Sequence, residues 1–135
     1  MSDALRDHLA AGRKAWVSIT GLTLKRPWSI VPFLWYAIPS KMQADRAPGM
    51  LRADVREIAG VRHTLTVWRS REDMLAYIHS GHHKRALAAF TRFFDGTTYG
   101  YETADIPDWG RARALWEQNG RPYTPPRRRV AADRA

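Results

Sequence analysis

Four segments of the chain alternate apolar and polar residues with a period of two, the spacing at which a strand shows one face to a core and the other away from it. Ala15–Leu24 (AWVSITGLTL) sets Trp16, Ser18, Thr20, Leu22 and Leu24 on one side and Val17, Ile19 and Gly21 on the other. Met50–Ala59 alternates Leu51, Ala53 and Val55 with Arg52, Asp54 and Arg56. Val61–Arg69 alternates Val61, His63, Leu65 and Val67 with Arg62, Thr64, Thr66 and Trp68, and Gly60 between the two runs predicts an antiparallel hairpin. The fourth run, Thr97–Ile106, alternates through Tyr99, Tyr101 and Thr103.

Helical stretches separate these strands. Trp28–Ala47 is apolar on one side and interrupted by Pro32 and Pro39, which predicts a kinked or two-piece helix with Pro27 at its start. Ser70, followed by Glu72 and Asp73, is an N-cap with acids in the first turn. The helix it opens is predicted to reach Phe94, with Leu75, Ile78, His79, His82, Ala86, Ala89, Phe90 and Phe93 on one stripe and Asp95-Gly96 as its stop. Asp108 caps a last helix, Trp109–Asn119, closed by Gly120. The order β-α-β-β-α-β plus a C-terminal helix predicts an α+β ferredoxin-like fold with a four-stranded antiparallel sheet. Such a sheet leaves one face open, and a second copy is the expected cover, so a homodimer is expected.

At 135 residues the chain is one domain, expected over 15–120, with a short helix or loose arm at 1–14 and a tail at 121–135. Apolar residues at 44% and charged residues at 26% are a globular balance. The absence of cysteine excludes thiolate nucleophiles and cysteine-ligated metals. The richest apolar run, Trp28 to Ile38, is too short to span a bilayer and contains Pro32. No signal peptide is read in Met1–Leu9, and a cytoplasmic location is expected. The net charge of +9 suggests a polyanion partner until it is located. Residues 111–135 hold seven arginines against Glu117 and Asp133, a net +5, and Pro125-Pro126-Arg127-Arg128-Arg129 is the densest part. Nucleic acid is therefore an expectation only through that tail.

Three stretches carry a resemblance: Ala47-Pro48-Gly49-Met50-Leu51, then Thr64-Leu65-Thr66-Val67-Trp68-Arg69-Ser70-Arg71-Glu72-Asp73-Met74, then Ser80-Gly81-His82-His83. From about Ala15 to Ile106 the chain resembles the dimeric α+β barrel superfamily, most of all its antibiotic biosynthesis monooxygenase-like members and the small relatives of spheroidene monooxygenase. The resemblance implies a dimeric α+β barrel, a pocket in each subunit between sheet and helices, and a place in secondary metabolism. It implies oxidation of phenolic substrates by O2 without a cofactor, or haem chemistry with a helix histidine as axial ligand. Tyr77 stands where many antibiotic monooxygenases carry a histidine, and the first strand offers Ser18 and Thr20 but no asparagine.

His82, near the centre of the helical stripe, is the first candidate for a catalytic base, or for the axial ligand if haem is bound, with His79 as a second choice of ligand. A core histidine satisfied by a backbone carbonyl would occupy the same stripe. His63 is the second catalytic candidate: a strand face turned to the helices would bring it toward His82, and an edge position would expose it. Trp68, ending its strand, suits a flat ligand by stacking. Trp28, Phe33, Trp35 and Tyr36 would roof the same pocket, with Ile78 and His79 beside them, unless these aromatics are plain core. Arg52 and Arg56 share a strand face with Asp54 between them, an arrangement for a carboxylate or phosphate, an intersubunit salt bridge or a solvated strand. His79 and His82 stand at i, i+3, but no third ligand follows at helical spacing and no metal is expected.

These residues support a small monooxygenase-like enzyme acting on a hydrophobic aromatic or conjugated metabolite, cofactor-free or haem-dependent. A cofactor-free isomerase, cyclase or dehydratase would use the same pocket without oxygen, and a non-catalytic ligand-binding protein would use it without turnover.

Overall fold

The computed structural model of the chain describes residues 2–24, 47–79 and 94–122. Among them are three helices, α1 (Asp3–Ala10), α2 (Arg71–Ile78) and α3 (Trp109–Asn119). The strands are β1 (Ala15–Leu24), β2 (Met50–Ile58), β3 (Val61–Trp68), β4 (Phe94–Thr103) and β5 (Arg121–Pro122). The sheet runs β2-β3-β1-β4-β5, antiparallel throughout. Leaving β5 aside, this is the order of a split βαβ arrangement, in which β1 lies between the strands that follow and precede the second helix.

Side-chain alternation decides what each face holds. Val17 pairs with Val67 on one side and Tyr101 on the other, Ile19 with Leu65 and Tyr99, and Gly21 with His63 and Thr97. Val17, Ile19, Leu65, Val67 and His63 are fully buried. Their cover is the chain's own ends: Leu5 of α1 and Ala112 of α3 are fully buried in the same core, with Trp109 and Trp116 packed against it. α1 and α3 therefore shield this face of the sheet.

Local signals explain the helix starts. Ser2 Oγ accepts from the Leu5 N–H at 3.3 Å and donates to the Leu51 carbonyl at 3.0 Å, so one hydroxyl caps α1 and ties it to β2. Ser70 Oγ accepts from the Asp73 N–H, and Asp108 Oδ1 accepts from the Arg111 N–H at 2.8 Å. The β2–β3 turn has Ala59 at φ 51° and Gly60 at φ 81°, the two positive angles of a type I′ turn.

Two boundaries differ from the sequence reading. Asp95-Gly96 does not stop a helix: it lies within β4, where Asp95 pairs with Thr23 and Gly96 with Leu22. Ten paired positions along β1 outweigh a local turn signal. The sheet also gains a fifth strand, since Arg121 and Pro122 pair with Thr98 and Thr97. The broken helix expected over Trp28–Ala47, the stretch holding His82 and His83, and residues 123–135 lie outside the described residues.

Candidate functional site

The sheet divides the candidates. Trp68 lies on the face opposite His63, because the two stand five positions apart on one strand and successive side chains alternate. The face with Trp68 carries Trp16, Ser18, Thr20 and Leu22 from β1, Thr64 and Thr66 from β3, and Thr98 from β4. Apart from the buried Trp68, these side chains are half-buried. Trp16 and Trp68 are direct cross-strand partners at one end of it. The Tyr77 ring of α2 lies on Trp68 with centroids 5.2 Å apart and planes at 33°, and the Arg71 guanidinium lies over Trp16 at 5.7 Å.

This face combines flat aromatic walls with hydroxyls. The Trp68 indole N–H donates to Thr66 Oγ1 at 2.9 Å, which fixes the ring. Thr20 and Thr98 hydroxyls meet at 3.3 Å, and Thr98 also donates to the Ile19 carbonyl. The Trp16 Nε1–H is buried and has no acceptor among the described residues. A buried donor without a partner costs about 1–3 kcal/mol. A ligand oxygen placed there would remove that cost.

The opposite face holds His63 in a different setting. Its ring meets Trp116 edge-on, with Trp109 at 6.4 Å, and among the described residues neither ring nitrogen makes a well-formed hydrogen bond. Burial first, and the Arg113 guanidinium second, hold the imidazole below the ordinary histidine value of 6.5. Hydrogen bonding toward the Thr20 backbone and the Glu117 carboxylate act the other way. His63 is a core residue at no exposure, and the grouping of His63 with Trp68 in one pocket is corrected by the alternation of β3.

Arg52 and Arg56 share the His63 face at the sheet margin. Arg52 donates to Asp54 Oδ2 from Nε at 3.0 Å and from Nη2 at 2.5 Å, while the Arg56 guanidinium lies over Trp109 at 5.4 Å. With Asp108 they line an open cleft of about 730 Å³. Ile78 is half-buried and His79 is exposed at the C-cap of α2. Trp28, Phe33, Trp35, Tyr36 and His82 lie outside the described residues.

The described histidines do not fit a haem on the Trp68 face. His63 and His8 are buried on the other side of the sheet, His8 Nε2 engages the Lys14 carbonyl at 2.8 Å, and His79 is exposed. Among the described residues no group of three His, Cys, Asp or Glu side chains could hold a metal. No described helix is long and apolar enough to cross a membrane.

Sequence reasoning missed Trp16 as a donor and Trp109 and Trp116 as the surroundings of His63. The last two stand at i, i+7 on one helix, two turns apart on one stripe, and that spacing was the available signal.

No protein-family model and no curated protein sequence matches the chain. Solved structures do. The fold is similar to that of a Nitrosomonas europaea protein described as an antibiotic biosynthesis monooxygenase, at 17% identity and TM-score 0.58, covering 68% of this chain and 90% of that one. It is similar to a mutant form of SnoaB, a cofactor-independent oxygenase from Streptomyces nogalater, at 10% identity and TM-score 0.58, covering 70% and 98%. Rv0793 from Mycobacterium tuberculosis aligns at 16% identity and TM-score 0.56, covering 70% and 98%.

Proposed function

We propose that this chain, which has the fold of antibiotic biosynthesis monooxygenase-like proteins, is a small cofactor-independent monooxygenase-like enzyme acting on an enolisable aromatic metabolite. The observation that carries the reading is the Trp68 face: two tryptophans and Tyr77 of α2 beside a floor of hydroxyls, with an unused indole donor. The likeness in fold to SnoaB, itself a cofactor-independent oxygenase, adds to it.

On this reading Trp16 and Trp68 hold a polycyclic ring by stacking, and the Trp16 N–H takes a carbonyl or phenolate oxygen. His82, four positions past Ile78 in sequence, accepts the substrate proton. The resulting electron-rich anion passes one electron to O2, and the two radicals join as a peroxide at the same carbon. Loss of water then leaves a carbonyl, so that CH2 plus O2 becomes C=O plus H2O. Water exclusion by the aromatic walls protects the intermediates. His63 takes no part, being sealed on the other side of the sheet.

Oxygen uptake with dithranol, an enolisable tricyclic phenol, tests this. The expected result is one O2 consumed per carbonyl formed, lost in Trp68→Ala and His82→Ala and retained in His63→Leu. Turnover that survives removal of oxygen would replace the reading with an isomerase, cyclase or dehydratase. Loss of turnover in a folded His63→Leu protein would also overturn it.

A further inference from the structure

Arg56 carries a charge that the proposed turnover does not use. Its guanidinium lies 5.4 Å from the centroid of the Trp109 ring, and the residue is exposed. Stacking of this kind engages the flat face of a guanidinium and leaves its in-plane N–H fork to a partner. Arg52, four positions back on the same strand face, is in the opposite condition. Its Nε and Nη2 both donate to Asp54 Oδ2, so the charge of Asp54 is already answered. Among the described residues no carboxylate pairs with Arg56 in the same way.

Both arginines open on the cleft of about 730 Å³ that β2 shares with the residues leading into α3. That volume falls in the range of small-molecule sites. The half-buried Ile106, the buried Pro107 and Trp109 give it apolar lining beside the guanidiniums. We propose that this cleft binds a flat aromatic monocarboxylate, with the carboxylate on the Arg56 fork and the ring on Ile106 and Pro107. A planar carboxylate matches a guanidinium fork through two parallel N–H···O bonds. The Trp109 ring already orders Arg56, so the side chain loses less freedom when the ligand arrives. The sheet stands between this cleft and Trp68, so the bound acid is a different molecule from any turned over there, and the inference does not rest on that reaction.

The acids of the cleft set the charge of the ligand. Asp108 also lines it, held in place where its Oδ1 accepts from the Arg111 N–H. One ligand carboxylate is matched by Arg56. A phosphate monoester, with nearly two negative charges at neutral pH, gains the same partner but sets its second charge against Asp108. A neutral amide of the same ring leaves the fork without an anion and loses the charge-assisted bonds.

Proton–nitrogen NMR of the full chain, titrated with naphthoate to roughly 5 mM, tests the site. The Trp109 Nε1–H and Arg56 Nε–H signals are expected to move together and saturate with one midpoint. Arg56→Gln should weaken binding about tenfold or more, and Arg56→Lys, which keeps the charge and loses the fork, about threefold or more. Arg56 is exposed, so the far-UV dichroism of both variants should stay that of the parent. Naphthamide and naphthyl phosphate should each bind more weakly than naphthoate. Asp108→Asn, which keeps a capping side chain on α3, should narrow the gap between phosphate and carboxylate. Motionless Trp109 and Arg56 signals, equal binding by Arg56→Gln, phosphate binding tighter than carboxylate, or an unchanged gap in Asp108→Asn would each overturn the proposal. So would movement confined to the Trp16 and Trp68 signals, which assigns the acid to the other face of the sheet.

Discussion

The Trp116 indole stands edge-on to the His63 imidazole, ring centroids 4.6 Å apart and planes at 87°. The same indole donates to the Thr97 carbonyl at 2.8 Å. It links α3 to β4 while walling off a fully buried histidine.

Acid is expected to weaken the fold through that histidine. His63 in the folded protein has its pKa below the unfolded value of about 6.5, so below that pH the unfolded chain binds more protons. Its contribution is fully present above the unfolded value and is lost as pH falls toward the folded one. One such proton gives a slope of at most about 1.4 kcal/mol per pH unit. Urea melts at about pH 5 and about pH 7.5 should show the loss, and His63→Leu should flatten the difference between them.

Gly21→Ala is expected to cost about 1–3 kcal/mol by overpacking, because a Cβ there would run into the Trp116 ring. The variant should melt earlier with a depressed His63 effect, since the ring that seals the imidazole is displaced. Thermal unfolding followed by tryptophan fluorescence reads both.

Ala59 occupies the left-handed region beside Gly60 in the β2–β3 turn. An L-residue with a plain methyl gains nothing there, whereas asparagine bonds locally and suits the first position of a type I′ turn. Ala59→Asn should stabilise the protein by about 1 kcal/mol, seen as a higher urea midpoint with an unchanged slope.

Thr66→Val removes the acceptor of the Trp68 indole at nearly constant volume. The buried N–H then loses its partner at a cost of about 1–3 kcal/mol. Ligand binding on that face should weaken as the ring gains freedom, measured by quenching of tryptophan fluorescence with a phenolic probe. Equal binding in the variant would show that Trp68 is held by packing alone.

Much of the strand arrangement is legible in the sequence because period-two alternation survives in every strand that has a core on one side. Ala15–Leu24 and Trp109–Asn119 read directly, the first from alternation and the second from Asp108 and Gly120 at its ends. Asp95-Gly96 misleads since a local turn preference competes with pairing to β1, a contact far away in the chain. The site is less legible. Alternation assigns His63 and Trp68 to opposite faces, yet it does not say which helices cover which face. Only the packing of α1 and α3 shows that His63 faces the chain's own ends.

A sheet one residue thick makes β3 a strand whose alternate codons answer to different selection. Changes at Thr64 or Thr66 alter the surroundings of Trp68 and leave the Val17–Leu65 core in place. Changes at His63, Leu65 or Val67 act on whether the chain stays folded. A lineage carrying this strand can therefore drift in chemistry and in robustness independently, three bases at a time.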